Sequence, residues 1–484
     1  MAQTINLFEY EPFPLGQISG LPDDFKKSLN QILNRIWSER KRFVPTSSYY
    51  PESKSKKQNF IEIKEHELIC GKWIGSVNFS KKGKQYNINL LPKIFHRPEN
   101  PANESELNAI FSHILWWLSE SEKEFPTSQS NSMQGMQSDL LEVMIHIFSS
   151  YALEVFSTST HNSYEEVFEN TENIRGKIDF SAYSENYGRG NRHTVSCTYD
   201  SFQFDNRFNQ IVRYVCKLLS GATSNQNSRR NLEEIIFLFD EVSDIRATVE
   251  DCDKVKLNPI HSEFKTILDH CRMFLSSLST FRWNSEFEVF ALLIPAENLF
   301  ENFIYSMLKK VNSPNIKRVS RSTGNHGRTH LVRQIPRPDY DRFQMRHDIV
   351  VKTTDRFLIL DTKYKKIYPT EKVLEQDGEI DRKYNISRSD IYQMVSYAVG
   401  SGVDRIALIY PSLINDKELE ELPVYEIMDE FSKDTLIKIY PFKVNIMHEE
   451  KLSISSKGRL EKIFENSSEN LRLQLDKAVE RMLE

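Results

Sequence analysis

The stretch LILDTKYK, residues 358–365, is an apolar run that ends on an acidic residue and offers a lysine two residues later. Alternate side chains of a strand point to the same face of its sheet, so Asp361 and Lys363 would project together from the end of this strand. The residues before them, Phe357 to Leu360, have the composition of a buried strand. Charged side chains next to a core cost free energy unless a partner compensates them. A divalent metal ion is a natural partner for this pair.

A second short apolar strand lies just upstream, at Ile349 to Val351, and is entered through Asp348. The polar turn between the two strands predicts a hairpin, in which Asp348 and Asp361 would lie at the same end of the ladder. Two carboxylates and the backbone carbonyl of Thr362 are hard oxygen ligands of the kind that Mg²⁺ prefers, with water completing the octahedron. Lys363 would then hold or polarise an attacking water. This arrangement is typical of a metal-dependent phosphodiesterase.

Two predicted helices flank the pair of strands in the sequence and carry polar side chains. Gln393 and Tyr397 are four residues apart, so they lie on one face of a helix that follows the strands. Glu301 lies on an earlier helix that we expect to begin at Pro295. Glu297, one turn before Glu301, is the alternative acid on that helix.

The first strand acid also has an alternative, because the segment Pro338-Asp339 places another carboxylate upstream of Asp361. The residues that follow Asp339 do not form an apolar strand. Asp348 precedes three β-branched residues at a hairpin's distance from Asp361, and this pattern favours Asp348.

An acid on a helix, an acid on a strand, Asp-x-Lys on the next strand and Gln-x-x-x-Tyr on a helix together resemble the PD-(D/E)xK nuclease superfamily. Upstream motifs narrow the resemblance. GKWIGSV at residues 71–77 and INLLPKI at residues 88–94 are similar to the N-terminal signature of McrC, the nuclease subunit of McrBC-type modification-dependent restriction systems. RGKID (175–179), CTYD (197–200) and DNRFN (205–209) follow in the order of that family.

The resemblance spans residues 5–412 and implies an endonuclease subunit of a McrBC-like restriction system, which serves anti-phage defence. Such a subunit cleaves modified double-stranded DNA with Mg²⁺, or with Mn²⁺ in its place. It acts with a hexameric AAA+ GTPase partner of the McrB type, on which its β-rich N-terminal part docks and whose GTPase it stimulates. The chain itself has no Gly-x-x-x-x-Gly-Lys-Ser/Thr segment, so we expect no nucleotide bound through a P-loop.

The resemblance also implies the roles of the site residues. Asp348, Asp361 and the Thr362 carbonyl would bind the metal ion. Lys363 would orient the attacking water, and Glu301 would assist. Gln393 and Tyr397 would support the site. Two other functions remain open, a non-catalytic activator or scaffold of the AAA+ motor and a stand-alone PD-(D/E)xK DNA nuclease.

The length of 484 residues is enough for two to four domains of roughly 100–200 residues each. The sequence predicts a multidomain α+β protein. Residues 1–98 form a β-rich N-terminal module for partner docking, residues 99–285 a mainly helical middle region, and residues 286–484 an α/β PD-(D/E)xK (restriction-endonuclease-like) domain with a C-terminal helix.

The composition bounds the location of the protein. The five cysteines are scattered without a C-x-x-C pair, which favours a reducing cytoplasm over a disulfide framework or a zinc site. The first ten residues lack the pattern of a signal peptide. No apolar run in the sequence approaches the ~20 residues of a membrane span, so we expect no membrane partner.

The net charge of −5 is low for a DNA enzyme, but basic residues collect upstream of the predicted metal strand. A polyanion would have to approach the acids there, and lysine and arginine contacts to phosphate supply most non-specific DNA affinity. The residues that we predict to contact DNA are Lys317, Arg318, Arg321, Arg328, Arg333 and Lys365.

Overall fold

The structure is a computed structural model that describes residues 3–18, 21, 24–43, 57–81, 84–97, 102–121, 139–258, 262–283, 287–321, 329–333, 341–366, 386–416, 422–428, 435–454 and 460–484. The chain divides into two compact units. The first unit comprises residues 1–40, 46–140 and 283–484, and the second comprises residues 41–45 and 141–282.

The strands are numbered in chain order. They are β1 (Gln3–Phe8), β2 (Pro12–Pro14), β3 (Ile61–Ile63), β4 (Glu67–Cys70), β5 (Trp73–Lys81), β6 (Lys84–Leu91), β7 (Ser163–Thr171), β8 (Lys177–Ile178), β9 (Val195–Gln203), β10 (Leu278–Trp283), β11 (Phe287–Pro295), β12 (Arg318–Ser320), β13 (Thr329–Arg333), β14 (Asp341–Met345), β15 (Ile349–Lys352), β16 (Phe357–Thr362), β17 (Arg405–Pro411), β18 (Tyr425–Met428) and β19 (Thr435–Val444).

The helices are numbered in the same way. They are α1 (Phe25–Phe43), α2 (Glu104–Glu120), α3 (Leu140–Thr158), α4 (Phe180–Gly188), α5 (Arg207–Ala222), α6 (Gln226–Leu238), α7 (Val249–Lys254), α8 (Ser262–Ser277), α9 (Ala296–Lys309), α10 (Arg388–Ser401), α11 (Leu460–Ile463) and α12 (Glu465–Leu483). Short 3₁₀ turns cover Leu15–Gln17 and Lys93–Phe95.

The largest sheet of the first unit is mixed, with its strands in the order β12, β15, β16, β17, β19 and β18. β16 lies inside this sheet, antiparallel to β15 and parallel to β17. Ile349 of β15 pairs with Leu360 of β16, so Asp348, one residue earlier, stands opposite Asp361. The turn over residues 353–356 closes this hairpin at its other end.

Helix α10 crosses from β16 to β17 and packs on one face of the mixed sheet. Its side chains Met394 and Ala398 form a buried cluster with Ile359 of β16 and with Ile406 and Leu408 of β17. Because side chains alternate along a strand, every second residue of β16, counted from Ile359, faces α10. This face carries the site.

Helix α9 contacts β16, and its side chains join an aromatic core of the first unit. The Trp116 ring of α2 meets Phe303 of α9 edge-on at 5.0 Å between centroids and stacks on Phe464 at 4.6 Å. The Trp116 indole Nε1 also donates to the Ser468 hydroxyl at 3.0 Å. The aromatic rings therefore join helices that lie far apart in the sequence.

A second sheet of the first unit brings the N-terminal strands against the segment before α9. Its strands β1, β6, β5 and β11 are neighbours in that order. β5 pairs antiparallel with β11, which places Gly75 opposite Leu293. Gly75 has φ +138°, and a Cβ there would stand 1.9 Å from the carbonyl oxygen of Leu292. A glycine is required because the backbone of β11 occupies the space of a side chain.

The predicted secondary structure around the site is confirmed. The two strands form a hairpin, the helix that carries Glu301 begins directly after Pro295, and the helix with Gln393 begins at Arg388. The C-terminal helix is also present as α12. Mixed helices and sheets in two units agree with a multidomain α+β protein.

The compact units divide the chain at other places than the three predicted domains. Strands of the predicted N-terminal module pair with β11, and α2 of the predicted middle region packs on α9, so both belong to the first unit. The second unit corresponds to most of the predicted middle region. It is not only helical, because β7, β9 and β8 form a three-stranded sheet in that order.

One expectation about hydropathy was wrong. Helix α3 is long and apolar enough to cross a membrane by length and composition, and it is the one such helix among the residues described. Within the structure, 67% of its apolar window is buried, and Phe148 contacts the rings of His270 and Phe274 at 5.6 Å. Core helices of this kind pass the same test as membrane spans.

We predict that Gly75→Ala destabilises the first unit. The added methyl would collide with the Leu292 carbonyl, and alanine is also strained at a positive φ. The expected cost exceeds about 1 kcal/mol and is measured by thermal melting. Gly16→Ala is the matched control, because nothing lies within 4 Å of a Cβ at that position. Equal melting temperatures for the two variants would contradict the packing argument.

Candidate active site

The carboxylate of Asp348 is held by the strand beside it. Its Oδ2 accepts from both the amide N and the hydroxyl of Thr362, each at 2.8 Å. The next amide along the chain, that of Lys363, points the other way and donates to the carbonyl of Ile409 on β17 at 2.8 Å. In a regular strand the N–H and C=O of one residue point to the same side, so the Thr362 carbonyl faces the side that Asp348 occupies.

Asp361 and Lys363 point to the α10 face, because they follow Ile359 by two and four residues. The Lys363 Nζ lies 2.5 Å from the Asp361 Oδ2 and donates to the Gln393 Oε1 at 2.9 Å. Asp361 is almost fully buried, and the Lys363 side chain is only 15% exposed. The lysine is therefore fixed between a carboxylate of its own strand and an amide of the helix.

A chain of hydrogen bonds runs on from Gln393. Its Nε2 donates to the Tyr397 hydroxyl at 2.8 Å, and that hydroxyl donates to the backbone carbonyl of Arg346 at 2.8 Å. The Tyr397 ring also lies edge-on against His347 at 4.7 Å. Gln393 and Tyr397 of α10 thus connect Lys363 with the segment that precedes Asp348.

Glu301 belongs to the same cluster of acids. Burial, and after it the negative charge of Asp348, raise the pKa of Glu301 from 4.5 to about 7, while Arg321 and Arg346 oppose the shift. The alternative residue, Glu297, instead makes an exposed ion pair with Lys72 at 2.9 Å. The structure brings Glu301, and not Glu297, to the hairpin end.

The acids also perturb each other and the lysine. Burial, and after it the negative charge of Asp348, raise the pKa of Asp361 from 3.8 to about 7, while Lys363 opposes the shift. Burial lowers the pKa of Lys363, but Asp361 and Asp348 outweigh burial and leave that pKa above its ordinary 10.5. The raised pKa keeps Lys363 charged at neutral pH, whereas ionisation of Asp361 and of Glu301 costs free energy.

These residues fit a magnesium ion by the chemistry of their donor atoms. No three His, Cys, Asp or Glu side chains in the described part of the chain form a closed metal site. Mg²⁺ does not need one, since it is bound through one or two carboxylates and retains water. Asp348, Asp361 and the Thr362 carbonyl supply such oxygens, and the Asp361 Oδ2 makes no hydrogen bond of regular geometry. A cation would offset the repulsion that raises the carboxyl pKa values.

The predicted DNA contacts fall into different places. Lys317 and Arg318 are exposed, but they lie beside Lys352, at the opposite end of β15 from Asp348. β12 runs antiparallel to β15, so Lys317 and Arg318 lie at the end of β15 that is away from the acids. Arg328 lies outside the described residues, and Arg333 is described only as a position in β13.

Arg321 and Lys365 already have protein partners. The Arg321 guanidinium donates to Asn302 at 2.7 Å and lies over the Tyr305 ring at 4.2 Å, both on α9. The Lys365 Nζ donates to both carboxylate oxygens of Asp390 at 2.8 Å. Arg321 and Lys365 each connect a strand to a helix, and this structural role explains their positions without a contact to DNA. The alternative acid, Asp339, lies outside the described residues.

Sequence reasoning missed two groups that act on the site. Asp390 is buried at the start of α10, and its charge raises the pKa of both Asp361 and Lys363. Arg346 is exposed two residues before Asp348 and lowers the pKa of Glu301. The spacing of Arg346 from Asp348 was a usable signal. Asp390 had none, because its partner lies across a motif-free insertion.

Comparisons with known proteins identify the family. The sequence profile of the family described as "McrBC 5-methylcytosine restriction system component" matches residues 68–411. No curated protein matches the chain.

Two solved structures are similar. One is a chain of the refined half-complex from a tetradecameric assembly of Thermococcus gammatolerans McrB AAA+ hexamers with bound McrC. The match has a TM-score of 0.63 and 17% sequence identity, and it covers 98% of this chain and 100% of that chain. The other is a chain of the cryo-EM structure of the Thermococcus gammatolerans McrBC complex, with a TM-score of 0.45 and 18% identity over 64% of this chain and 88% of that chain. The first similarity shows a shared fold. Since the family profile covers most of its length, the chain belongs to the family of McrBC 5-methylcytosine restriction system components, as a McrC-type protein.

Proposed function

We propose that this McrC-type protein is a Mg²⁺-dependent DNA endonuclease subunit of the PD-(D/E)xK type, which cleaves phosphodiester bonds in complex with an AAA+ GTPase of the McrB type. One observation carries the proposal. Asp348, Asp361 and Lys363 lie together at one end of the hairpin, and Gln393 of α10 accepts a hydrogen bond from the lysine. This constellation matches the motif order that resembles the nuclease superfamily.

The chain's own residues suit phosphodiester hydrolysis. Thr362 fixes the orientation of the Asp348 carboxylate through two hydrogen bonds. Lys363 stays protonated, because its pKa is raised, and its ammonium can donate to an attacking water or to a phosphate oxygen. Gln393 limits the rotation of that ammonium. Magnesium, when bound by Asp348, Asp361 and the Thr362 carbonyl, would supply Lewis-acid stabilisation of the charged phosphate and a water of lowered pKa.

One prediction concerns cleavage itself. Asp361→Asn removes a metal-binding charge and is expected to lower the rate of DNA cleavage by the reconstituted complex at least about 100-fold. Stimulation of the partner's GTPase should survive, because Asp361 is buried within the first unit. The matched control is Asp355→Asn, an exposed aspartate in the turn at the other end of the same hairpin. Cleavage by the Asp361→Asn protein at the wild-type rate would refute the proposal.

The same assay separates the two other functions. A non-catalytic activator would raise GTP turnover by the partner and never cut DNA, with or without metal. A stand-alone nuclease would cut DNA with Mg²⁺ in the absence of any partner. The fold shared with a chain from the McrB hexamer complex with bound McrC supports the partner-dependent function.

Another prediction follows from the mutual repulsion of the acids in the metal-free protein. The pKa of Glu301 is about 7 in the folded chain against an ordinary 4.5, so its ionised form destabilises the fold. This cost is absent below about pH 4.5, grows as the pH rises and is complete above about pH 7. Glu301→Gln should therefore raise the melting temperature by on the order of 5 °C at pH 8, and by little at pH 5.

The control for this measurement is Glu297→Gln, which removes an exposed charge one turn earlier on α9. Its melting temperature should change little at either pH. Both variants are measured in EDTA. A gain for Glu301→Gln that is as large at pH 5 as at pH 8 would rule out the buried-charge explanation.

The second unit offers a surface for the GTPase partner. Tyr164 and Phe168 of β7 and Phe202 of β9 lie on one face of the three-stranded sheet and are 73%, 54% and 60% exposed. The Tyr164 and Phe202 rings contact each other at 5.1 Å. Exposed apolar patches of this kind mark interaction sites. The N-terminal strands that the sequence suggested for docking have their apolar side chains in the core, as Ile5 and Leu7 do.

We predict that Phe168→Ser with Phe202→Ser lowers stimulation of the partner GTPase at least about 10-fold, because buried aromatic anchors dominate interface energies. The fold should be unchanged, since both side chains are exposed. Phe237→Ser is the control, because Phe237 is 79% exposed on α6 of the same unit. Normal stimulation by the double variant would return docking to the N-terminal strands.

A further inference from the structure

The chain leaves its sheet directly after the site lysine. The ladder between β16 and β17 ends where the Lys363 amide donates to Ile409, and the Lys363 carbonyl accepts from the Lys365 amide at 2.8 Å. The next carbonyl, that of Tyr364, is beyond the reach of this ladder. It accepts from the Lys93 Nζ at 2.7 Å. A buried backbone carbonyl needs a donor, and here a charged donor arrives from 271 residues away in the sequence.

Lys93 is built into its place. It is 7% exposed, its ammonium lies 4.2 Å from the centroid of the Tyr364 ring and 5.0 Å from that of Tyr10, and its own amide donates to the Glu9 Oε2 at 3.1 Å. Glu9 is fully buried, and its carboxylate interacts with Lys93 and with the Tyr364 hydroxyl. A buried lysine and a buried glutamate are rare unless they compensate each other. Neither side chain belongs to the metal and lysine cluster.

The segment that follows Asp361 is anchored residue by residue. The Lys365 ammonium binds Asp390 of α10, and the Lys366 ammonium lies 2.5 Å from a Glu11 oxygen. Tyr364 is the residue between Lys363 and these outer anchors, and its ring contacts Phe300 of α9 at 5.6 Å. Release of the Tyr364 carbonyl would free the backbone next to Lys363. The Lys363 ammonium would then no longer be held at a fixed distance from Asp361 and Gln393.

We infer that Lys93, oriented by Glu9, is a positioning residue that sets the orientation of Lys363 for cleavage. The inference rests on the proposed nuclease function. It assigns a chemical role to the lysine of the sequence INLLPKI, residues 88–94, which lies outside the strands and helices of the site. Displacements of about 1 Å in an active site can cost on the order of 100-fold in rate.

The test uses the full chain with its GTPase partner, DNA and Mg²⁺. The double variant Lys93→Met with Glu9→Gln removes the ammonium and the carboxylate together, so that no unpaired charge stays buried. Its single-turnover cleavage rate at saturating DNA should fall by roughly 10- to 100-fold. The DNA concentration for half-maximal rate and the melting temperature should stay near wild type. Hydrogen exchange should accelerate in the segment 362–366 alone.

Lys72→Met is the matched control, because it removes an exposed ion pair with Glu297 in the same unit and leaves β16 untouched. A wild-type rate in the double variant overturns the inference. A rate that falls only together with melting temperature and with faster exchange throughout the first unit overturns it as well. Asp361→Asn, measured in parallel, separates the two proposals. If that variant cuts DNA, the nuclease function has failed, whatever Lys93 does.

Discussion

Repulsion among the carboxyl groups of Asp348, Asp361 and Glu301 constrains the first unit more than any other feature of the site. Burial and mutual charge raise the pKa of Asp361 and Glu301 to about 7, so the fold holds them together at a cost. Hydrogen bonds from Thr362 and the ammonium of Lys363 offset part of that cost. Acids concentrated in this way at a hairpin end are unfavourable for a structural role alone. They are favourable for binding a cation, which turns the repulsion into attraction.

The compensation reaches beyond the mixed sheet. β5 pairs with β11, and the strand pair leads straight into α9 with Glu301. Lys72 binds the first turn of α9 through Glu297, and Lys93 binds the chain just after Lys363. The N-terminal part of the chain therefore contacts both the helix that carries Glu301 and the segment that follows Lys363. This explains physically why motifs from opposite ends of the sequence belong to one compact unit.

The sequence predicted the parts of the site that depend on local periodicity. Alternation placed Asp361 and Lys363 on one face, and the four-residue spacing placed Gln393 and Tyr397 together on α10, where they connect to Lys363 as geometry required. Their roles in cleavage stay predictions. The sequence did not show which carbonyl Lys93 binds, because no local rule links positions 271 residues apart. Basic residues were predicted to lie near the acids because they are near them in the sequence. In the structure, the antiparallel pairing of β12 with β15 places Lys317 and Arg318 at the end of β15 away from the acids.

The second unit is an insertion that carries an exposed aromatic surface of its own. Residues 141–282 are inserted between parts of the first unit, and the closure of such a long loop costs little more entropy than that of a short one. The insertion can therefore carry a separate surface without loss of the sheet that β5 and β11 complete on either side of it. Tyr164 and Phe168 lie on one face of β7 with Glu166 between them, and both rings are exposed. Exposure of such a face is a cost in the isolated chain. A partner surface that buries these rings would remove this cost.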